Sequence, residues 1–135
     1  MNRVIKFRVY DKTNDKMFYS NYYHIELDLR YETVLINDCI FDYEDEIEAI
    51  LTQYTGLKDK NDKEIYEGDI VRVYGGEYCQ GYYEYDSKCV VKWRTCGFDM
   101  ITIKEGYGIG WGFCDDSEYI EVIGNIYENP ELLKE

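Results

Sequence analysis

The sequence predicts a mainly β protein: a small SH3-like barrel or two packed antiparallel sheets, with an N-terminal β-hairpin and at most short helices. Three observations lead there. Apolar residues recur at every second position in most of the hydrophobic segments, as they do in half-buried strands. Gly, Asn and Asp turn signals separate those segments at short intervals. Roughly seven such segments follow one another, a number that suits closure or sandwiching because both remove exposed edges.

The elements follow in order. From Val4 to Tyr10, Ile5, Phe7 and Val9 alternate with Lys6, Arg8 and Tyr10, which predicts a strand. Asp11 to Lys16 is a polar turn, and a second strand is expected from about Met17 to Arg30, with Tyr23, Ile25, Leu27 and Leu29 on one face. His24 falls on the polar face of that strand and is read as a solvated surface histidine. Thr33 to Ile36 is another strand, and Asp38 to Glu48 is an acidic connection. The segment Ile47, Ile50, Leu51, Tyr54 matches one face of a short helix, yet its β-branched and aromatic content also suits an extended chain.

Asn61-Asp62 suits a left-handed turn, and Gly68-Asp69 is a second turn that delivers Ile70 to Val73 as a strand. Gly75 to Gly81 is expected to be a loop surrounded by Tyr78, Tyr82, Tyr83 and Tyr85. Cys89, Val91 and Trp93 then alternate as a strand that pairs with Phe98 to Ile103. Gly106, Gly108, Gly110 and Gly112 interleave with Tyr107, Ile109, Trp111 and Phe113, a period of two that favours a strand whose glycine face is closely approached. No P-loop lysine or helix signal follows, so a phosphate cradle is not supported. Tyr119 to Ile126 is the last strand, and Asn129-Pro130-Glu131 opens a short helical turn that Leu132 and Leu133 would dock.

With 135 residues and one proline, the chain shows no linker and no internal repeat, and a single domain over 1–135 is expected. Against 15 basic residues stand 28 acidic ones, a net charge of −13, which argues against direct binding to a nucleic-acid backbone. No apolar run reaches the length of a membrane span, and Met1-Asn2-Arg3 leads straight into the alternating segment instead of a signal sequence. Cys39, Cys79, Cys89, Cys96 and Cys114 are odd in number and form no C-x-x-C pair, so free thiols in a reducing cytosol are expected. With His24 the sole histidine, no metal and no cofactor is expected. The carboxylates Asp42 to Glu48 do not fall at calcium-loop spacing.

Two stretches carry more than pattern. The first is Tyr54-Thr55-Gly56-Leu57-Lys58-Asp59-Lys60-Asn61, continuing through Lys63-Glu64-Ile65-Tyr66-Glu67-Gly68-Asp69-Ile70-Val71. The second is Glu121-Val122-Ile123-Gly124-Asn125-Ile126-Tyr127-Glu128-Asn129-Pro130-Glu131-Leu132-Leu133. Together with the opening Ile5 to Asp11, they resemble the YopX family of bacteriophage and prophage proteins. Asp62 stands where that family commonly carries glycine, and 75–116 matches no fixed pattern. The resemblance implies a phage context in the host bacterial cytoplasm and transfers no enzymatic activity.

No nucleophile sits beside a base in local pattern, so the expectation is a protein that is not an enzyme. The preferred expectation is a binding module whose acidic, tyrosine-rich surface meets a host or phage protein, with charge favouring a basic one. Tyrosine supplies large contact area at low entropic cost. The candidate contact residues are Tyr78, Tyr82, Tyr83, Tyr85, Asp86, Asp115, Asp116 and Glu118. The alternative is a self-assembling homo-oligomer joined by an exposed edge or by the Leu132-Leu133 tail.

Overall fold

The computed structural model describes residues 4–28, 30, 33–37, 39–41, 49–78, 81–103, 110–112 and 117–134; at 33, 39–41, 75–78, 81–85, 110–112 and 117 only the backbone is described. Among these residues the chain forms twelve strands and two 3-10 turns, all strand pairing is antiparallel, and no α-helix occurs. Two compact units emerge, Met1–Tyr54 and Thr55–Glu135.

In the first unit, β1 (Phe7–Asp11) and β2 (Lys16–Tyr19) form the expected hairpin, in register from Arg8↔Tyr19 to Asp11↔Lys16. Asp11 holds the turn: its Oδ1 accepts from the amides of Thr13 and Asn14, and its Oδ2 accepts from the Asn14 side chain at 2.7 Å. The long second strand expected from Met17 to Arg30 is instead two. The amides of Tyr22 and Tyr23 both donate to the carbonyl of Tyr19, which turns the chain before β3 (Ile25–Asp28). Strand β3 pairs with β4 (Thr33–Ile36), whose bounds match the sequence expectation, and β4 pairs with β5 (Cys39–Phe41). The acidic connection therefore contains a short strand at its start, while 42–48 lie outside the described residues.

The ambiguous helix is a strand. From Ala49 to Lys58 the chain is extended as β6, and its first half pairs with β1 from Phe7↔Gln53 to Asp11↔Ala49. That pairing places Ala49 and Leu51 with Val9, Val34 and Ile36 in the first unit's core, flanked by Phe18, Tyr23 and Ile25. Of the residues that sketch a helical face, Ile50 and Tyr54 fall on one face of β6 and Leu51 on the other, while residue 47 lies outside the described residues. Arg8, buried, donates from Nε to Thr52 Oγ1 at 3.1 Å and lies over the Tyr19 ring.

Strand β6 runs on into the second unit, where Thr55 Oγ1 donates to the carbonyl of Ile65 in β7 (Glu64–Tyr66). A five-stranded sheet follows, built from β8 (Asp69–Tyr78), β9 (Gly81–Arg94), β10 (Gly97–Thr102), β11 (Gly110–Gly112) and β12 (Ile120–Asn125). Its order is β11-β10-β9-β8-β12, and it curls into half a barrel. One face carries Val71, Val73, Cys89, Val91, Met100 and Ile120, which close with Ile65 into the core. Burial pushes the Cys89 thiol up to about 11, as desolvation of a thiolate requires.

Where a loop is expected from Gly75 to Gly81, Gly76, Glu77, Tyr78 and Gly81 are paired backbone, and 79–80 lie outside the described residues. Strands β8 and β9 stay paired from Tyr74↔Asp86 to Tyr78↔Gly81, with a bulge at which Glu84 and Tyr85 of β9 oppose the single residue Gly75 of β8. Gly110–Gly112 form a strand as expected, whereas 104–109 lie outside the described residues. The chain closes on a 3-10 turn, Pro130–Leu133, with proline in its first turn.

Candidate partner-binding site

The residues of the two specific motifs are spent on turns and edges. Asp59, buried, accepts the amides of Asn61 and Lys63 on Oδ1 and the amide of Val122 on Oδ2, at 2.8 to 2.9 Å. The Lys60 amide donates to the Ile120 carbonyl. One side chain thereby builds the β6–β7 turn and blocks part of the outer edge of β12. Asp62 holds a left-handed φ of 65°, the conformation expected from its sequence. Asp69 Oδ2 accepts the Tyr66 amide across the next turn. There Gly68 has a φ of 86°, and a Cβ on it would lie 2.8 Å from the Tyr127 ring.

At the C-terminal motif, Asn125 Oδ1 accepts the amides of Tyr127 and Glu128, and the Asn125 amide donates to Asn129 Oδ1. Asn129 thus serves the preceding turn and makes no side-chain cap to the 3-10 turn that follows it. Gly124 leaves space for Leu132 Cδ1, and Lys88 Nζ donates to the carbonyls of Leu132 and Lys134 at 2.9 Å. Of the two leucines expected to dock this turn, Leu132 packs against Gly124 of the sheet, whereas Leu133 is exposed.

A different chemistry gathers along β8 and β9 from Tyr74 to Asp86. Among the described residues, β12 pairs with β8 as far as Val73, and β10 pairs with β9 from Cys89 onward. From Tyr74 to Tyr78 and from Gly81 to Asp86, the described pairings join β8 to β9 alone. This arm holds five of the sixteen tyrosines, Tyr74, Tyr78, Tyr82, Tyr83 and Tyr85. Its charged residues are Glu77, Glu84 and Asp86, with no Lys or Arg.

At the base of the arm the side chains are described. Arg72 donates from Nε and Nη2 to the two carboxylate oxygens of Asp86, at 2.8 and 2.6 Å. That bidentate bond holds the Asp86 carboxyl below its ordinary range and raises Arg72 further. Lys60 Nζ donates to the Tyr74 hydroxyl and lies 3.2 Å from Glu121 Oε2, and both contacts raise its pKa. Lys60 and Arg72 each lie over the Tyr74 ring, 4.7 and 5.6 Å from its centroid. Arg72, Tyr74, Lys60, Glu121 and Asp86 form a half-exposed polar clamp.

Of the residues nominated from sequence, the fold brings Tyr78, Tyr82, Tyr83 and Tyr85 onto one arm: Tyr82 is in register with Glu77, Tyr83 with Gly76 and Tyr78 with Gly81. Asp86 is in register with Tyr74 at the arm's base, where its carboxylate is engaged by Arg72. Glu118 is exposed in the 3-10 turn Ser117–Tyr119 that leads into β12, and Asp115 and Asp116 lie outside the described residues. Sequence reasoning missed Tyr74, Arg72, Lys60 and Glu121. The alternation of Arg72 and Tyr74 with the apolar Val71 and Val73 was the available signal, since it puts both on the face away from the core. Lys60 and Glu121 are distant in sequence and had none.

His24 is exposed and bonds to Glu26 at 2.7 Å. Among the described residues no three of His, Cys, Asp and Glu gather as a metal ion would need, and no helix is long and apolar enough to cross a membrane.

Fold and site together define a mainly β protein of antiparallel sheets, with its signature polar residues committed to turns and a tyrosine-bearing arm on its half-barrel. The chain matches the family described as YopX protein over residues 6–134, and it belongs to that family. It is also similar to the crystal structure of protein EF1440 from Enterococcus faecalis, with 28% identity and a TM-score of 0.62 over 98% of this chain and 100% of that one. No curated protein matches it.

Proposed function

We propose that this chain is a non-catalytic binding module, acting in a phage or prophage context in the bacterial cytoplasm, whose β8–β9 arm docks a Lys- or Arg-bearing surface of a host or phage protein. One observation carries the reading: the paired segment 74–78 and 81–86 holds five tyrosines and three carboxylates and contributes no Lys or Arg of its own, while its base is anchored by Arg72 on Asp86 and Lys60 on Tyr74. Tyrosine faces and carboxylates are complementary to ammonium and guanidinium groups, and paired backbone presents them with little ordering left to do. The motif residues support a structural use of the remaining polar groups, since Asp59, Asp69, Asn125 and Asn129 are engaged with backbone amides.

Affinity capture on the immobilised chain tests the proposal. A basic protein should be retained from host lysate at low salt and released at high salt, and E77Q/E84Q should lose that retention. Retention that ignores both salt and the arm variant would defeat the proposal, as would no retention at all.

A further inference from the structure

Consecutive residues of a strand point to opposite faces of its sheet, so a sheet covered on one side buries every second residue. Strands β8 and β9 break that rule at one row. Val71 and Val91 belong to the core, yet their neighbours Ile70 and Val90, which point away from it, are 0% and 7% exposed. Ile70 and Val90 are in register with each other, with Gly124 of β12 on one side and Ile101 of β10 on the other. The next positions along the same outer face, Arg72 of β8 and Lys92 of β9, are exposed. The half-barrel therefore buries a second, local apolar row on its outer face.

The C-terminal turn reaches this row. Leu132 Cδ1 sits 2.7 Å from the point where a Cβ on Gly124 would be, so the leucine occupies a notch that a side chain at 124 would fill. Lys88, on the same outer face of β9 as Val90, donates from Nζ to the carbonyls of Leu132 and Lys134, both at 2.9 Å. The turn is otherwise lightly held: none of Pro130–Leu133 is buried, Leu133 is exposed, and Asn129 makes no side-chain cap to it. An apolar row, a notch and an ammonium thus receive one leucine and two peptide oxygens, and a short segment of another chain can present the same three groups.

We propose that Gly124, Ile70, Val90 and Lys88 form a docking site for a leucine-bearing turn of a partner protein, and that the chain's own C-terminal turn occupies it as a displaceable plug. The site uses no residue of the acidic arm and stands independently of the role proposed there. The plug itself defines the partner's chemistry: an aliphatic side chain for the notch, with its own carbonyl and the one two residues on presented to the ammonium. Because the plug is tethered, it competes at an effective concentration on the order of millimolar. A partner binds in proportion to the open fraction, so loosening the plug raises its apparent affinity by the same factor.

A peptide with the sequence of residues 129–135, titrated into the isotope-labelled full chain and followed by NMR, tests this. L132S withdraws the plug's own leucine and leaves the site intact. In that variant the peptide should shift the amide signals of Ile70, Val90 and Ile101, with an affinity about tenfold or more above that for the parent chain. L132S/K88M should lose the binding, and so should a peptide with serine in place of its first leucine, while circular dichroism stays unchanged. A second measurement does not depend on L132S folding: in the parent chain the Leu132 amide should exchange with solvent about a hundredfold or more faster than that of Val91, and K88M should speed the first about tenfold without touching the second. No shift in L132S, equal affinity for L132S and parent, or binding indifferent to K88M overturns the proposal, as does a Leu132 amide that exchanges no faster than that of Val91. A parent chain that is dimeric and becomes monomeric in L132S would show the plug exchanged between copies, and that too overturns the partner reading.

Discussion

At the scale of single residues, the motif positions divide into those chosen for a side chain and those chosen for lacking one. Gly68 belongs to the second kind. Its φ of 86° places it where an L side chain is strained, by about 1–2 kcal/mol, and the Tyr127 ring occupies the space a Cβ would take. Its amide also donates to Val91 and its carbonyl accepts from Ile126, so the backbone there cannot shift without loosening β9 and the C-terminal turn together. Gly68→Ala should therefore lower stability by about 2–4 kcal/mol, the sum of backbone strain and overpacking. Urea denaturation should show a lower midpoint with an unchanged slope. A midpoint within error of the parent would mean that neither the left-handed turn nor the ring contact constrains this site.

At the scale of elements, the strands were legible wherever a local period of two coincided with a nearby turn. Thr33–Ile36 and the pairing of Phe98 with Trp93 are of that kind. Where the deciding partner was distant, sequence was silent. Ala49 to Tyr54 is extended because β1, some forty residues earlier, offers Phe7 to Asp11 as a ladder. The Gly75-Gly76 pair is part of a ladder, opposite a bulge in β9, because β9 supplies the facing strand. The polar clamp at the arm's base was hidden for the same reason: Lys60 comes from the β6–β7 turn and Glu121 from β12, and only the sheet brings them to Tyr74. Asp59 shows how strongly such distant ties are built. Replacing it with alanine removes the acceptor for three amides at once, one of them on β12, and should cost about 2–4 kcal/mol. Hydrogen exchange at the Asn61, Lys63 and Val122 amides should accelerate far more than at Val71 or Val91. Acceleration spread evenly over the unit would show that Asp59 contributes only to global stability and does not pin this turn to the strand.

At the scale of the molecule, the charge balance dominates. With 28 carboxylates against 15 cations, the folded chain holds like charges closer together than the unfolded one, and that repulsion opposes compaction. Exposed ion pairs such as Lys58–Asp62, Arg72–Asp86 and Arg94–Asp99 offset it weakly, because they lie where water and salt screen them. Screening therefore acts in two directions, weakening these pairs slightly and weakening the surplus repulsion more. In dilute solution, where copies do not meet, raising salt at neutral pH should raise the thermal midpoint. The gain should be on the order of 1 kcal/mol, roughly 3 °C for a chain of this length. A thermal midpoint that falls with salt in the dilute chain would mean that attractive pairs outweigh repulsion here, and the acidic surface would then be a stabilising network instead of a surplus held for a cationic partner.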